Sequence, residues 1–158
     1  MKIIFLDIDG VLMSFEFMHS LAWKQKINGY HEDLTNDRHG HHFDPRCVLN
    51  LSNLVSETNA KIVISSSWRL AGLQRMKDLW SERSLPGEMI DITPKKFETR
   101  AEQINSWVSE NNPENWIVID DESVILEPID RHRFIKVDGQ NGFSFHDSRK
   151  ALKILNKE

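Results

Sequence analysis

Two aspartates stand two residues apart in "KIIFLDIDGVL", residues 2–12, directly after an apolar run. In an extended chain Asp7 and Asp9 point to the same side. A second acidic pair, Asp120 and Asp121, closes the run "WIVIDD". A third run, "KIVIS", ends in Ser65, with Ser66 and Ser67 after it. Carboxylates are the groups a fold least tolerates beside its core. Gathered in one place they also repel. Two of them roughly 4 Å apart, at an effective dielectric of about 20, cost about 4 kcal/mol. Protons or a cation must offset that. With oxygen donors and no His or Cys at these run ends, Mg²⁺ suits the set better than zinc.

Phosphoryl transfer is the chemistry such a set can perform. Asp7 can attack phosphorus and carry the group as an aspartyl-phosphate, which splits one displacement into two. Asp9 can protonate the leaving oxygen and then take a proton from the water that opens the intermediate. Gly10 lets the backbone turn and present amides to a phosphate. Ser65 can donate to a phosphoryl oxygen, and Ser66 can add backbone contacts. Arg69 is a candidate for holding a phosphate or a nucleic-acid backbone. A fixed cation is needed against the phosphoryl charge. Arg100 is the first candidate, with Lys95 and Lys96 as alternatives.

For these residues to meet, the runs must be neighbouring strands whose carboxyl ends share one edge. Strands are expected over 2–6, 61–65, 116–120 and 133–137, with a weaker one near 88–92. Their unbroken apolar character, without alternation, predicts a parallel sheet covered on both faces. Helical patterns lie between them. One opens at Asp44-Pro45, as N-cap and first residue, and runs to about Asn59. Another covers roughly 69–83. A third starts at Thr99, with Glu102 completing a capping box. A fourth lies near 147–156. The alternation predicts an α/β fold, a three-layer Rossmann-like sandwich around a central parallel sheet with right-handed crossovers.

Residues 13–43 break the rhythm. They are expected to form an insertion after the first strand: one short helix near 16–26, then a loop. Ligands of open α/β sheets sit outside the carboxyl ends of the strands, so the insertion can lie over the site as a small cap. Trp23 and Tyr30 within it are able to stack on a base, though packing onto the domain is the expected use. His39, His41 and His42 match no structural zinc spacing and read as a polar loop. Trp68, Trp80, Trp107 and Trp116 fall at or beside core positions. Arg131, His132 and Arg133 read as solvated surface.

The 158 residues suit one domain, 1–158, with 13–43 inside it. Hydrophobic residues make up 39% and charged residues 28%, which fits a packed soluble core. A formal net charge of −4 argues against a broad electrostatic grip on nucleic acid but leaves room for one terminal phosphate. Cys47 is the sole cysteine, so no internal disulfide forms. The apolar run before Asp7 is too short for a signal-peptide core, and no segment nears the roughly 20 apolar residues of a membrane helix. A cytoplasmic protein with no membrane contact is the expectation, and no obligate protein partner is evident.

The motifs resemble those of the haloacid dehalogenase superfamily of phosphohydrolases. Its first motif, Asp-x-Asp-x-(Val/Thr), is matched by "DIDGV", residues 7–11. Its second, an apolar strand ending in Ser or Thr, is matched by "KIVISS". The third, a Lys or Arg ahead of the last motif, falls to Arg100 or the Lys pair. The fourth, an acidic pair after an apolar strand, is "IVIDD". Within the superfamily the chain is similar to small, nearly capless members such as the phosphatase domains of nucleic-acid repair enzymes, including polynucleotide kinase 3′-phosphatases. "SSSWR", the "TP" before Arg100, the run from Arg100 to Trp107 and a late "VDGQNGFSF" carry that closer likeness.

The resemblance implies that Asp7 is the nucleophile and Asp9 the acid/base. It implies Mg²⁺ on Asp7, the Asp9 carbonyl and Asp120, with Asp121 a ligand through water or a support behind the ligands. An acid at position 9 implies phosphate esters as substrates. The expected activity is a Mg²⁺-dependent phosphomonoester hydrolase acting on a nucleotide or a nucleic-acid terminal (3′) phosphate. A phosphatase of a small non-nucleotide metabolite is one rival. A silent binding or regulatory module is the other, and the intact Asp9 speaks against it.

Overall fold

The computed structural model describes residues 1–29, 33–123 and 127–157. The five apolar runs become five parallel strands: β1 (Lys2–Leu6), β4 (Lys61–Ile64), β5 (Met89–Ile92), β6 (Asn115–Asp120) and β7 (Phe134–Lys136), in the order β5-β4-β1-β6-β7. β1 lies at the centre, with Leu6 opposite Ile64 of β4 and Ile119 of β6.

Side chains alternate across this sheet, and both faces are covered. Ile4, Leu6, Ile62, Ile64, Ile117 and Ile119 pack on α2 (Pro45–Thr58), α3 (Leu73–Glu82) and α5 (Phe145–Leu155). Ile3, Phe5, Val63 and Val118 pack on α4 (Arg100–Asn111) through Ala101, Ile104 and Trp107. Phe5 meets Trp107 and Trp116 edge-on at 5.5 and 5.7 Å. Full burial of such side chains contributes about 1.5–3 kcal/mol each. That double cover is why the strands carry no polar alternation. The layered α/β architecture is the one expected.

Caps fix the helix starts. Asp44 accepts from Arg46 N, with Pro45 as the first helical residue. Thr99 and Glu102 form the reciprocal capping box that starts α4 at Arg100. The helix expected over 69–83 starts later. A 3-10 turn, Ser67–Ala71, occupies its first residues, and Gly72, at φ +100°, separates the two.

The insertion departs most from expectation. Its helix, α1 (Phe15–Asn28), is longer than 16–26, and the loop after it contains a hairpin, β2 (Asn36–Asp37) with β3 (Gly40–His41). Arg83, just past α3, pins that hairpin. Its guanidinium donates to Asp37 at 2.8 and 2.7 Å and to the Gly40 carbonyl at 3.0 Å, and it lies over the Phe43 ring. His39 turns inward and its Nε2 meets Glu82 at 2.8 Å.

Two expectations are corrected. Trp23 is 62% exposed and does not pack the insertion onto the domain, because α1 buries none of its residues. Arg133 is not plain solvated surface: it stacks over Trp116 and donates to Asn115 Oδ1 and the Trp116 carbonyl, each at 3.0 Å. Tyr30 lies outside the described residues. Among the described residues no helix is long and apolar enough to cross a membrane.

Candidate active site

The sheet's hydrogen-bond ladder runs one residue past β1, β4 and β5, to the level of Asp120 at the end of β6, and that row is the site. Asp7 N donates to the Ile119 carbonyl, Ser65 N to that of Leu6, Thr93 N to that of Ile64, and Val137 N to that of Asp120, at 2.9–3.0 Å. Thr93, Ser65, Asp7, Asp120 and Lys136 therefore stand side by side across the carboxyl edge. Ser65, Asp7 and Asp120 come from three neighbouring strands, β4, β1 and β6, whose register brings them to one level.

Asp7, Asp120 and Asp121 each offer a carboxylate oxygen, and these oxygens lie within 4.8 Å of one another. Asp7 and Asp120 are buried and Asp121 half-buried. Burial pushes the pKa of Asp120 up and Asp7 adds to it, against the opposing Arg100. Asp121 is pushed up by burial, Asp7 and Glu122. An all-carboxylate donor set whose members resist joint ionisation is matched to a hard divalent cation, and Mg²⁺ fits it.

Asp121 fits because its neighbours lack side chains. A Cβ on Gly10 would lie 2.3 Å from Asp121 Oδ2, and one on Gly139 would lie 2.6 Å from it. Gly10 also holds φ +70° within the turn that follows β1. There the Ile8 carbonyl accepts from the amides of Val11, Leu12 and Met13. Lys136 donates to the Asp121 carbonyl.

Asp9 sits beyond Asp7 in that turn. Trp68 Nε1 lies 3.2 Å from each of its carboxylate oxygens. Burial raises the Asp9 pKa; the Trp68 hydrogen bond opposes this, Asp7 adds to it, and Arg100 opposes it. The group thus keeps a proton to higher pH than an ordinary aspartate.

Of the three candidate cations, Arg100 is the one in contact. Its NH1 donates to Asp120 Oδ2 and lies 3.2 Å from Asp7 Oδ2. Burial opposes its charge, but Asp7 and Asp120 hold its pKa above the usual arginine value. Lys95 donates instead to the Leu70 carbonyl, and Lys96 faces Glu110 at 3.7 Å.

Ser65 Oγ is buried with no hydrogen-bond partner among the described residues, and so is Thr93 Oγ1 beside it in the row. Ser66 caps the 3-10 turn with its side chain. Arg69 is buried. Its guanidinium donates to the carbonyls of Ser65 and Ser66 and to Gln103 Oε1, at 3.2, 2.9 and 2.6 Å, and Nε has no partner among the described residues. It braces the segment that carries Ser65.

Sequence reasoning missed Trp68, Thr93 and Gly139 as neighbours of the site. Thr93 and Gly139 carried a usable signal, since each follows a strand closely. Trp68 carried none, because its contact with Asp9 spans 59 positions.

The family model for the HAD domain of Swiss Army Knife RNA repair proteins matches residues 3–147. The chain belongs to this family. It is thus a haloacid dehalogenase-type domain of the RNA-repair kind, which agrees with the resemblance and with the acidic edge described above. No curated protein and no solved structure matches the chain.

Proposed function

We propose that the protein is a Mg²⁺-dependent phosphomonoester hydrolase that acts through an aspartyl-phosphate on Asp7, on the 3′-terminal phosphate of a nucleic acid or on a nucleotide. The observation that carries this reading is the meeting of Asp7, Asp120 and Asp121 around one point, with Asp9 and Arg100 beside them. When bound by Asp7, Asp120, Asp121 and the Asp9 carbonyl, Mg²⁺ would supply positive charge against the carboxylates and the phosphoryl oxygens.

The chain's own residues divide the work. Arg100 and the unpartnered Ser65 hydroxyl hold phosphoryl oxygens. A carboxylate oxygen of Asp7 attacks phosphorus, and the bond from phosphorus to the ester oxygen breaks. Asp9 gives its proton to that oxygen, so the alcohol leaves neutral. A water then attacks phosphorus and passes a proton to the Asp9 carboxylate. The Asp7–phosphorus bond breaks and inorganic phosphate leaves. Both groups return to their starting states.

The substrate class draws on the RNA-repair description of the family. Asp7→Asn should reduce hydrolysis of p-nitrophenyl phosphate to background, while Asp9→Asn should accumulate a hydroxylamine-sensitive phosphoenzyme. Turnover by Asp7→Asn would remove the covalent route. A 3′-phosphorylated oligonucleotide should be dephosphorylated more efficiently than free mononucleotides or sugar phosphates. Equal rates on all three would discard the nucleic-acid assignment.

A further inference from the structure

The acid must reach the leaving oxygen, so the leaving group departs on the Asp9 side of Asp7. What stands on that side is Trp68, whose Nε1 meets the Asp9 carboxylate. The same indole carries the tip of the β2–β3 hairpin. A Cβ on Gly40 would lie 3.2 Å from Trp68 Cη2. The next residue, His41, lines a cavity of about 160 Å³ between α1 and the hairpin. Met18, His19, Leu21 and Ala22 form its helix wall, and Thr35, His41 and His42 face them. Among the described residues the lining contains no Lys, Arg, Asp or Glu. A second phosphate or a carboxylate would find no fixed countercharge there. A flat ring with apolar faces and a hydrogen-bonding edge finds both of its needs there: aliphatic surface from Met18, Leu21 and Ala22, and imidazoles from His19, His41 and His42.

We propose that this cavity seats the base of the nucleotide whose phosphate is cleaved, with α1 and the hairpin as its walls. The inference rests on the phosphatase reading above and gives the insertion a defined ligand. It also explains why the hairpin is fastened to α3 through Arg83. A wall that selects a leaving group must hold still relative to the acid that protonates it.

The test uses the full chain with Mg²⁺ and three substrates: a ribotrinucleotide ending in a 3′-phosphate, the same molecule with an abasic terminal residue, and acetyl phosphate. The base-bearing substrate should exceed the abasic one in kcat/KM by about ten- to a hundredfold, the range expected for one stacked base. Ala22→Trp places a bulky ring in the cavity from an exposed helix position. It should erase that preference while leaving acetyl phosphate turnover unchanged. Ala22→Ser, which leaves the cavity open, should behave as the parent. Active enzyme that hydrolyses both trinucleotides equally, or an Ala22→Trp variant that keeps the preference, would overturn the cavity assignment alone. A parent protein inert toward acetyl phosphate and both trinucleotides would overturn the phosphatase reading and this inference with it.

Discussion

At the scale of single residues, Arg100 is the pivot of the site. Its guanidinium is the cation that touches both Asp7 and Asp120, and its side chain is 15% exposed. Fixed positive charge in a water-poor site acts where negative charge gathers during the reaction. Arg100→Met should therefore lower kcat/KM for p-nitrophenyl phosphate by about 10²–10³, and Arg100→Lys should recover a large part of that loss. Steady-state kinetics at saturating Mg²⁺ measures both; a Met variant with parental kinetics would leave Arg100 a mere counterion. Asp7, Ser65 and Asp120 were readable in the sequence because each ends an apolar run, and runs of similar length end level in a sheet. Arg100 was readable only as one of three cations. Its selection depends on where Thr99 caps α4, which puts Arg100 in the first turn, facing the strand ends. Trp68 reads as a core aromatic, because nothing local in "SSSWRL" records that its ring nitrogen reaches a carboxylate.

The elements divide by what holds them. The five strands and α2, α4 and α5 follow from apolar pattern and caps, since burial on both sheet faces decides them. The insertion is different. α1 has no fully buried residue and touches the core through half-buried Met18, and the hairpin is fastened by charge, above all by Arg83 on Asp37. Periodicity is blind to such contacts, and the hairpin was therefore expected as loop. Its stability should depend on pH. The Arg83 hydrogen bonds hold the Asp37 carboxyl well below the usual carboxylate range, although burial acts against them. A folded-state pKa below the unfolded one means that this stabilisation is present above about pH 4 and is lost as pH falls below it. Arg83→Met should cost about 1–2 kcal/mol of local stability at neutral pH. Hydrogen exchange at residues 36–41 reads the effect directly. Those amides should exchange faster in Arg83→Met, and the variant should lack the further rise in opening that the parent shows on acidification. Unchanged protection in the variant would mean that the hairpin is held by something other than this pair.

For the whole molecule, the acidic edge is a liability that the rest of the fold must carry. The chain carries a formal net charge of −4, and three of its carboxylates converge on one point between the sheet and two glycines. One arginine bridging two of them offsets part of the repulsion and leaves Asp121 to the field of Asp7 and Glu122, relieved by Lys136. A binding site of this kind trades metal-free stability for affinity. An ion that binds the folded chain alone stabilises it by mass action, about 2.7 kcal/mol at about a hundredfold excess over Kd. For a chain of this length that corresponds to a rise in Tm of roughly 5–10 °C. Asp121→Asn keeps the shape that fits between Gly10 and Gly139 but removes one charge. It should melt at or above the parent temperature in EDTA and should lose most of the Mg²⁺-induced rise. Thermal denaturation at pH 8, with KCl matched for ionic strength, separates this from general screening. The opposite pattern, lower metal-free stability with an undiminished response to Mg²⁺, would mean that Asp121 supports the fold and that the ion, if bound, is held elsewhere.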